Sequence, residues 1–500
     1  MATFRPAQRD RTLRALREFY ATDLDTTLAA APEAERRVLA LFEDAARSVP
    51  AYAAFLAHHG VDPARVTTLE AFRELPFTSK QSYHQAHSLA ALCRDGALDA
   101  CDMLAVSSGS TGQPTVWPRF VTDELATARR FEQVLADAFE ARERSTLGVV
   151  CFALGTWVGG MYTTDCCRHL ASAGYPITLV TPGNNIAEIL RVVRELGPRF
   201  EQVVLFGYPP FVKDAIDAGR ADGLDWSALR VRLVLAGEVF SEAWRRLVCE
   251  RIGARDPARA TASLYGTADG GVLANETPWS IRIRRALSER PALAEELFGS
   301  AQLPTLAQYD PCDRYFESID GELVFSGDGG APLLRYRIFD RGGLFPPQVL
   351  AARLAAAGVD VSSEGEPRRE LPFVYVFGRS SFAVSFYGAN VYPENVAPAL
   401  EQPEIARHVT GKFVLEVTRD ADENAGLRVT VELASGVTES AELSADLARD
   451  IRREIERVNS EFRSYAPTDR RTPHVVLRPL RDPEYFPAGV KHRYTRGDGG

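Results

Sequence analysis

The chain has 500 residues, 45% of them hydrophobic and 25% charged, with a formal net charge of −9. This length predicts at least two domains, and the composition argues against a disordered, collagenous or coiled-coil protein. The net negative charge argues against a general nucleic-acid or anionic-membrane binder, although a local basic pocket for a phosphorylated ligand is still allowed.

The first hundred residues (1–100) are predicted to form a helical lead-in. Apolar residues recur on one face of a helix that ends before Pro50: Val38, Leu41, Phe42, Ala45 and Val49. The start of the sequence lacks the apolar core of a signal peptide, and seven cysteines without a CxxC pair indicate neither a disulfide framework nor a zinc site. We therefore expect a reducing, cytoplasmic location.

Short apolar runs rich in β-forming residues follow from Met103 at helix-length intervals: MLAV, LGVVCFAL, ITLV, QVVLF and VRLVL. This alternation predicts an α/β fold whose strands are buried on both faces. Residues 145–164 are uncharged and long enough to span a bilayer, but their glycines favour a buried strand followed by a glycine-rich turn. We expect neither a membrane nor a nucleic acid as a partner.

A hairpin and then a smaller domain are predicted after Gly321. The runs ELVFS and LLRYRIF pair across GDGGAP. Beyond Phe377, the hairpin of KFVLEV and LRVTVEL, an amphipathic helix over 443–462 and the strand HVVL predict a small α+β domain. With the boundary at the turn 378–381, we expect a large multi-sheet N-terminal domain (1–378) and a small mobile cap (379–500).

A serine- and glycine-rich segment directly follows the run MLAV. It contains Ser107, Ser108, Gly109, Ser110, Thr111 and Gly112. Small residues let backbone amides approach phosphate oxygens, and the hydroxyls add donors. The segment lacks the lysine of the GxxxxGK[ST] loop, which disfavours P-loop kinases and GTPases. A serine- and glycine-rich turn of this kind can also be a plain linker, so the segment alone does not decide between a phosphate-binding loop and a linker.

Three further motifs carry charge that a nucleotide site can use. The segment Tyr265–Asp269 (YGTAD) joins an aromatic ring, a glycine and a carboxylate, and Asp340 ends the hairpin where it can accept two ribose hydroxyls. Lys491 lies on a glycine loop near the C-terminus. The YGTAD segment also fits a strand-end turn with a solvated aspartate, and the Asp340 motif also fits a β-edge with ordinary charges. The histidines His84 and His87 are expected to be solvated.

In this order and spacing the motifs resemble the acyl-adenylate-forming superfamily, and specifically its phenylacetate-CoA ligase branch. The resemblance runs from roughly Val49 to Arg496 and includes the lead-in LPFTSK, the loop SSGSTGQPT, AGE at 236–238, YGTAD, GELVF with LLRYR, and the terminal GVKHRY. The ordered set is specific, whereas each member alone is not. It implies the fold of adenylate-forming enzymes, with a large domain and a mobile cap.

The resemblance implies a role for each motif. It assigns the ATP triphosphate to the serine-rich loop, Mg²⁺ to Asp269, and the ribose to Asp340. Arg379 would lie at the hinge and go with ribose binding. Lys491 would reach the reacting carboxylate and the α-phosphate. The residues that would surround the base are Gly237, Glu238, Tyr265, Gly266 and Thr267.

The physical chemistry supports these roles separately from the resemblance. A carboxylate that attacks the α-phosphorus of ATP brings two anions together, so amides, Mg²⁺ and a late-arriving cation must neutralise charge. Lys491 on a flexible tail can be that cation, and a joint at Arg379 would exchange the groups needed for the two half-reactions.

Four positions depart from the family pattern. They are Asp269 instead of Glu, Gln113 instead of Lys, Ile338-Phe339 instead of Thr-Gly, and Ser380-Ser381 instead of an acidic pair. These departures bear on the metal contact, the hinge and the second half-reaction more than on nucleotide binding.

The acyl pocket is implied to include Phe152, Trp157 and Tyr208, which fit an ordinary apolar core as well. The leading hypothesis is an ATP- and Mg²⁺-dependent ligase that converts an aryl or arylacetic acid to an acyl-adenylate and then transfers it to coenzyme A. The alternatives are transfer to an amine, a carrier-protein thiol or another nucleophile in a natural-product pathway, and a nucleotide-binding regulator without turnover. The oligomeric state stays open, a homodimer included.

Overall fold

The computed structural model describes residues 6–29, 31–107, 115–155, 158–300, 303–361, 369–379, 383–486 and 494–496. Three groups of predicted site residues lie outside these ranges: Ser108 to Gly112 of the serine-rich loop, Trp157, and Lys491. The backbone of Arg379 is described but its side chain is not.

The lead-in consists mainly of helices. Its elements are α1 (Pro6–Ala21), α2 (Leu24–Ala29), α3 (Ala34–Ser48), α4 (Pro50–His58), α5 (Leu69–Arg73), β1 (Thr78–Ser79) and α6 (Leu89–Leu92). Val38, Phe42 and Ala45 form the buried stripe of α3, and Pro50 opens α4, where its missing N–H costs nothing. Helices α3 to α6 pack into a separate apolar cluster that includes Tyr315 and Leu334 of the sheet.

The MLAV run forms a strand, but not one of the buried parallel sheet. It lies in β2 (Met103–Ser107), which pairs antiparallel with β3 (Thr115–Arg119) as a two-stranded sheet of its own, before α7 (Val121–Gln133). Leu104 is 46% exposed. The prediction of burial on both faces was therefore wrong for this run, because in the described part of the chain β2 pairs with β3 alone and Leu104 faces outward.

The other four runs form the expected α/β part of the large sheet. The elements are β4 (Thr146–Val150), α8 (Val158–Ser172), β5 (Ile177–Val180), α9 (Ile186–Leu196), β6 (Gln202–Gly207), α10 (Pro209–Ala221), β7 (Val231–Ala236), α11 (Glu242–Arg251) and β8 (Thr261–Thr267). The strands run parallel in the order β5-β4-β6-β7-β8. Among the described residues, no helix is both long and apolar enough to cross a membrane.

An antiparallel part continues the same sheet. Its elements are β9 (Gly271–Asn275), α12 (Pro278–Ser288), α13 (Pro291–Phe298), β10 (Thr305–Gln308), β11 (Arg314–Ile319), β12 (Glu322–Gly327), β13 (Leu333–Phe345), α14 (Pro347–Ala356) and β14 (Phe373–Arg379). The strand order from β8 outward is β9-β10-β14-β13-β12-β11, and the predicted hairpin of ELVFS and LLRYRIF is confirmed as β12 and β13.

The C-terminal unit is a small α+β layer, as predicted. Its elements are β15 (Val384–Phe386), β16 (Ala389–Val391), α15 (Pro393–Leu400), α16 (Pro403–Ala406), β17 (Val409–Arg419), β18 (Ala425–Leu433), α17 (Ala441–Val458), α18 (Ser460–Tyr465) and β19 (His474–Arg478). The single helix predicted over 443–462 is broken at Asn459. That side chain caps α18 by accepting from Phe462 N at 2.9 Å and donates to Asn390 O at 2.8 Å.

Candidate active site

The carboxyl ends of the central parallel strands lie side by side at one edge of the sheet. Phe152 follows β4, Tyr208 follows β6 and Gly237 follows β7, while Tyr265 lies near the end of β8. The register aligns Ala236 with Leu264, so the segments after β7 and β8 emerge next to each other. In open α/β sheets this edge is where ligands bind.

Tyr265 and Asp340 meet in space although 75 residues separate them. The Tyr265 hydroxyl donates to Asp340 Oδ2 at 2.7 Å, and the Tyr265 ring stacks on Phe316. Asp340 is 4% exposed, and its backbone pairs with that of Arg379 across β13 and β14. The structure thus places a fixed carboxylate beside the end of β8, and the predicted hinge residue lies directly across from it.

Asp269 lies in a turn between β8 and β9 that is held at three successive residues. Tyr336 donates its hydroxyl to Asp269 Oδ2 at 2.6 Å. Arg119 donates to the carbonyl of Ala268, and Arg314 donates to the carbonyl of Gly270 at 3.0 Å. Because donors from β3, β11 and β13 converge on this turn, the direction of the carboxylate is set by the surrounding strands.

Gly266 and Thr267 shape the same turn. Gly266 sits at a bulge in the β8–β9 pairing, where a Cβ would lie 2.7 Å from Gly271 O. The hydroxyl of Thr267 accepts from the backbone amide of Gly270 at 3.0 Å. A side chain at position 266 would push the two strands apart, which explains the need for glycine here.

The base of the serine-rich loop is held by a buried tryptophan. Trp117 Nε1 donates to Ser107 Oγ at 2.9 Å, and both side chains are buried. Trp117 shares an apolar cluster with Tyr336, and Lys80 Nζ lies 5.9 Å from the centroid of its ring. The described end of the predicted phosphate loop is therefore anchored next to the Asp269 turn.

His84 belongs to this cluster, so its expected solvation was wrong. The imidazole is 4% exposed, and its ring centroid lies 4.0 Å from that of Trp117. Burial lowers the pKa of His84 to about 4, with Lys80 acting in the same direction and the Asp269 carboxylate opposing it. His84 is consequently a neutral side chain at ordinary pH.

The C-terminal unit contacts the Gly237–Glu238 segment directly. The backbone amide of Gly388 donates to Glu238 Oε1 at 2.6 Å, and Ser385 Oγ donates to Gly237 O at 3.2 Å. Both glycines have positive φ and lie against the ring of Tyr208, where a Cβ on Gly388 would come within 2.2 Å of the ring. These contacts bring the predicted adenine-flanking segment and the C-terminal unit into one interface.

Aromatic rings extend this interface toward the predicted acyl pocket. Tyr208 packs edge-on against Phe152, with centroids 4.9 Å apart, and lies 5.1 Å from the ring of Tyr465. All three side chains are buried, so Phe152 and Tyr208 serve as core here as well as lying at the sheet edge.

Polar pairs complete the docking of the C-terminal unit. Tyr387 donates its hydroxyl to Asp214 Oδ2 at 2.7 Å, and burial raises the pKa of that carboxyl. The fully buried Lys213 donates to Asn424 Oδ1 at 2.6 Å, and Asn184 Nδ2 donates to Ser464 O at 2.6 Å. The interface therefore combines charge, hydrogen bonds and ring packing.

A buried ionic network lies behind the Gly237–Glu238 segment. Arg245 donates to Glu276 Oε1 at 2.6 Å, Arg284 pairs with Glu242, and Arg284 also donates to Phe240 O at 2.6 Å. Since removing one member would leave a buried charge unpaired, this network fixes the backbone that follows Glu238.

Sequence reasoning missed Tyr336, Arg119 and Trp117. A signal existed for Tyr336, because alternation along β13 puts Tyr336, Ile338 and Asp340 on one face, and all three are buried. Arg119 and Trp117 offered no comparable signal, since their roles depend on contacts with Ala268 and Ser107 that spacing alone does not reveal.

Comparison with known proteins identifies the fold. No protein-family model matches the sequence, and no curated protein matches it. Among solved structures, 2-hydroxyisobutyryl-CoA ligase with 2-HIB-AMP and CoA in the thioesterification state is similar over 93% of this chain and 90% of its own, with a TM-score of 0.65 and 16% identity.

Two further states of that ligase are also similar to the chain. Its open conformation has a TM-score of 0.53 and 15% identity over 93% of this chain and 91% of its own. Its postadenylation state has a TM-score of 0.53 and 15% identity over 93% and 89%. The expected α/β architecture of adenylate-forming enzymes is thus confirmed as the fold of this chain.

Proposed function

We propose that this chain is an ATP-dependent ligase that activates a carboxylic acid as its acyl-adenylate and transfers the acyl group to coenzyme A. The observation that carries the proposal is the buried Asp340, held by the Tyr265 hydroxyl at the carboxyl edge of the sheet and next to the Asp269 turn. The fold supports it, since the similar ligase binds an acyl-adenylate and CoA.

Asp340 is the proposed ribose ligand. A carboxylate offers acceptor sites to two hydroxyls, and the hydroxyl of Tyr265 fixes its orientation before the nucleotide arrives. The adenine would lie between the Gly237–Glu238 segment and Tyr265–Thr267, which the neighbouring strands β7 and β8 place side by side.

Asp269 is the proposed carboxylate ligand for Mg²⁺. Carboxylate oxygen is a ligand that Mg²⁺ prefers, and phosphate oxygens and water would complete its coordination. The hydroxyl of Tyr336 orients the Asp269 carboxylate toward that role. When bound, Mg²⁺ would neutralise charge on the phosphates.

The triphosphate is assigned to the serine-rich loop, residues 107–112. Trp117 holds the described end of this loop, and Lys80 and Arg119 bring positive charge to the cluster beneath it. Lys491 is assigned the final neutralising role: its ammonium would meet the reacting carboxylate and the α-phosphate as their charges converge. Pyrophosphate then leaves and the acyl-adenylate stays bound.

The transfer of the acyl group to coenzyme A is assigned to the docked position of the C-terminal unit. In this position the Gly388 loop contacts Glu238 and Tyr208, at the same edge as the proposed nucleotide site. Lys491 and the Gly388 loop belong to the same C-terminal unit. Rotation about the residues near Arg379 would therefore bring first one and then the other to the nucleotide site. The small domain is therefore proposed to work as a mobile cap.

The acid is proposed to be aryl or arylacetic, as in the phenylacetate-CoA ligase branch. Phe152 and Tyr208 lie at the sheet edge, and aromatic rings are the kind of side chain that would pack against an aromatic acid there. Trp157 is the third proposed pocket residue.

Pyrophosphate release tests the proposal. The full-length protein is incubated with ATP, Mg²⁺ and a panel of aryl, arylacetic and short aliphatic acids, with and without coenzyme A. We expect acid-dependent release and a thioester product. A hydroxamate or amide product that forms only with an amine would move the acceptor to that class, and ATP binding without release for any acid would favour a regulator instead.

A further inference from the structure

Two cysteine side chains are in contact where the lead-in joins the hairpin β2–β3. The sulfur atoms of Cys93 and Cys101 are 3.7 Å apart. Cys93 Sγ also donates to Leu89 O at 3.3 Å, and Cys101 Sγ lies 4.0 Å from Gly330 O. A disulfide bond is about 2.05 Å long, so side-chain rotation that closes roughly 1.7 Å would join the two sulfurs.

The backbone fixes both cysteines in this proximity. Between them the chain reverses through Asp95 and Gly96, both with positive φ, which bring the two ends of the segment together. Cys93 follows α6, and the amide of Asp102, next to Cys101, donates to Arg119 O at 3.0 Å. The contact is therefore set by the fold on each side.

The other thiols differ from this pair. Cys151, Cys166, Cys167 and Cys249 are buried, and burial raises the pKa of Cys249 to about 12. Cys312 is half-buried, and its burial and nearby carboxylates raise its pKa to about 11. These thiols are therefore protonated and poorly nucleophilic at neutral pH.

Within the pair, reactivity and access are divided between the two side chains. A hydrogen bond from the Cys101 thiol lowers the pKa of Cys93, and the same hydrogen bond raises the pKa of Cys101. Cys93 is buried whereas Cys101 is partly exposed. Cys101 is thus the sulfur that a small solute can reach, and Cys93 is the neighbouring thiol whose pKa is lowered.

We propose that Cys93 and Cys101 are a modification site that closes to an intramolecular disulfide when the protein meets a peroxide. Hydrogen peroxide oxidises one of the two sulfurs to its sulfenic acid, which breaks the O–O bond and releases one water. The other sulfur then attacks, the S–S bond forms, and the sulfenic oxygen leaves as the second water. The two thiols lose two protons and two electrons, and one peroxide is reduced to two waters.

This bond links the end of α6 to the strand that leads to Ser107. The closed loop contains the nine residues from Cys93 to Cys101. The inference stands apart from the proposed ligase activity, because it needs only the two thiols and an oxidant.

Peptide mapping tests the proposal on the full-length chain. Trypsin cuts after Lys80, Arg94 and Arg119, so the two cysteines fall in separate peptides, 81–94 and 95–119, that hold no other cysteine. After treatment with hydrogen peroxide, before alkylation, we expect an intact mass lower by about 2 Da, and after alkylation of the remaining thiols we expect these peptides as one linked species. Dithiothreitol should separate them and restore alkylation of both.

Matched variants complete the test. Cys93→Ser and Cys101→Ser should each abolish the linked species, whereas Cys312→Ser, which removes the other partly exposed thiol, should leave it unchanged. Circular dichroism checks that each variant folds. If Cys93→Ser does not fold because Cys93 is buried, Cys101→Ser alone is enough for the test. The proposal is overturned if both peptides remain fully alkylated after peroxide, or if another cysteine pair links instead.

Discussion

The nucleotide side and the cap interface hold their site residues in different ways. On the nucleotide side, Asp340 and Asp269 are each fixed by a tyrosine hydroxyl from another strand of the same sheet. At the cap interface, Gly237 and Glu238 are contacted by Ser385 and Gly388 of the C-terminal unit, over the ring of Tyr208.

The nucleotide side is thus a prebuilt region held within one sheet, whereas the cap interface is assembled from two units of the protein. The hydroxyls that hold the two carboxylates come from β8 and β13 of the large sheet. The contacts at Glu238 and Gly237 come from the C-terminal unit. We therefore expect substitutions on the nucleotide side to change ATP binding and substitutions at the interface to change later steps.

The largest effect is expected from Lys491→Ala, which removes the proposed late-arriving cation. The rate of acyl-adenylate formation should fall about 10³-fold, because Lys491 is the group assigned to meet both the carboxylate and the α-phosphate as their charges converge. ATP affinity, measured by calorimetry, should stay within about twofold, since the cation arrives only for the reaction. Unchanged acyl-adenylate formation would remove the role assigned to Lys491.

A pH effect on stability is expected from His84, which is buried in the prebuilt region. Its pKa is about 4 in the folded protein and near 6.5 when unfolded, so the unfolded state binds the extra proton as the pH falls below 6.5. The free energy of unfolding should therefore lose about 3 kcal/mol through this group between pH 6.5 and pH 4. The free energy of unfolding, measured by denaturant titration at several pH values, should fall more steeply between pH 6.5 and pH 4 in the wild type than in His84→Gln. Parallel pH curves for the two proteins would contradict the burial argument.

Asp340→Ala should weaken ATP binding about 100-fold, because two hydrogen bonds from ribose hydroxyls to a charged acceptor are lost. Isothermal titration with ATP measures the change. A matched control is Asp320→Ala, which alters an exposed carboxylate in the β11–β12 turn and should leave affinity unchanged. Normal affinity in Asp340→Ala would rule out the ribose contact.

Gly388→Ala should slow thioester formation about 10-fold and leave the first step intact, because a Cβ there collides with Tyr208 in the docked position. Gly411→Ala is the control. Both glycines have φ of +84°, but nothing lies within 4 Å of a Cβ at Gly411. Equal losses in the two variants would mean that backbone strain, not docking, is responsible.

The smallest effects are expected from a pair of tyrosine variants that each lose one hydroxyl. Tyr265→Phe should raise the Kd for ATP about fivefold, because Asp340 loses its orienting donor. Tyr336→Phe should instead raise, by a similar factor, the Mg²⁺ concentration needed for half-maximal activity. If both variants changed the same quantity, the separate ribose and metal assignments would be wrong.

Elements that depend on local pattern could be predicted from the sequence. The runs LGVV, QVVLF and VRLVL gave strands at the predicted places because short apolar runs between helix-length segments fit a buried parallel sheet. The run MLAV has the same local pattern, yet its strand pairs only with β3, since pairing partners are chosen by long-range packing.

Long-range contacts explain the remaining gaps at the candidate site. Tyr265 and Asp340 were each singled out by motif, but their hydrogen bond joins strands far apart in the sequence. His84 was expected to be solvated, whereas its ring is buried against Trp117 on β3. The roles of all the site residues stay predictions, and the loop 108–112, Trp157 and Lys491 also lie outside the described residues.

Acid-dependent exchange of labelled pyrophosphate into ATP, without coenzyme A, tests the central claim that ATP and a carboxylic acid react at the Tyr265–Asp340 edge. We expect exchange with at least one aryl or arylacetic acid, none without acid, and near-background exchange in Asp340→Ala at subsaturating ATP. Exchange that proceeds equally well in Asp340→Ala, or no exchange with any acid, would contradict the account.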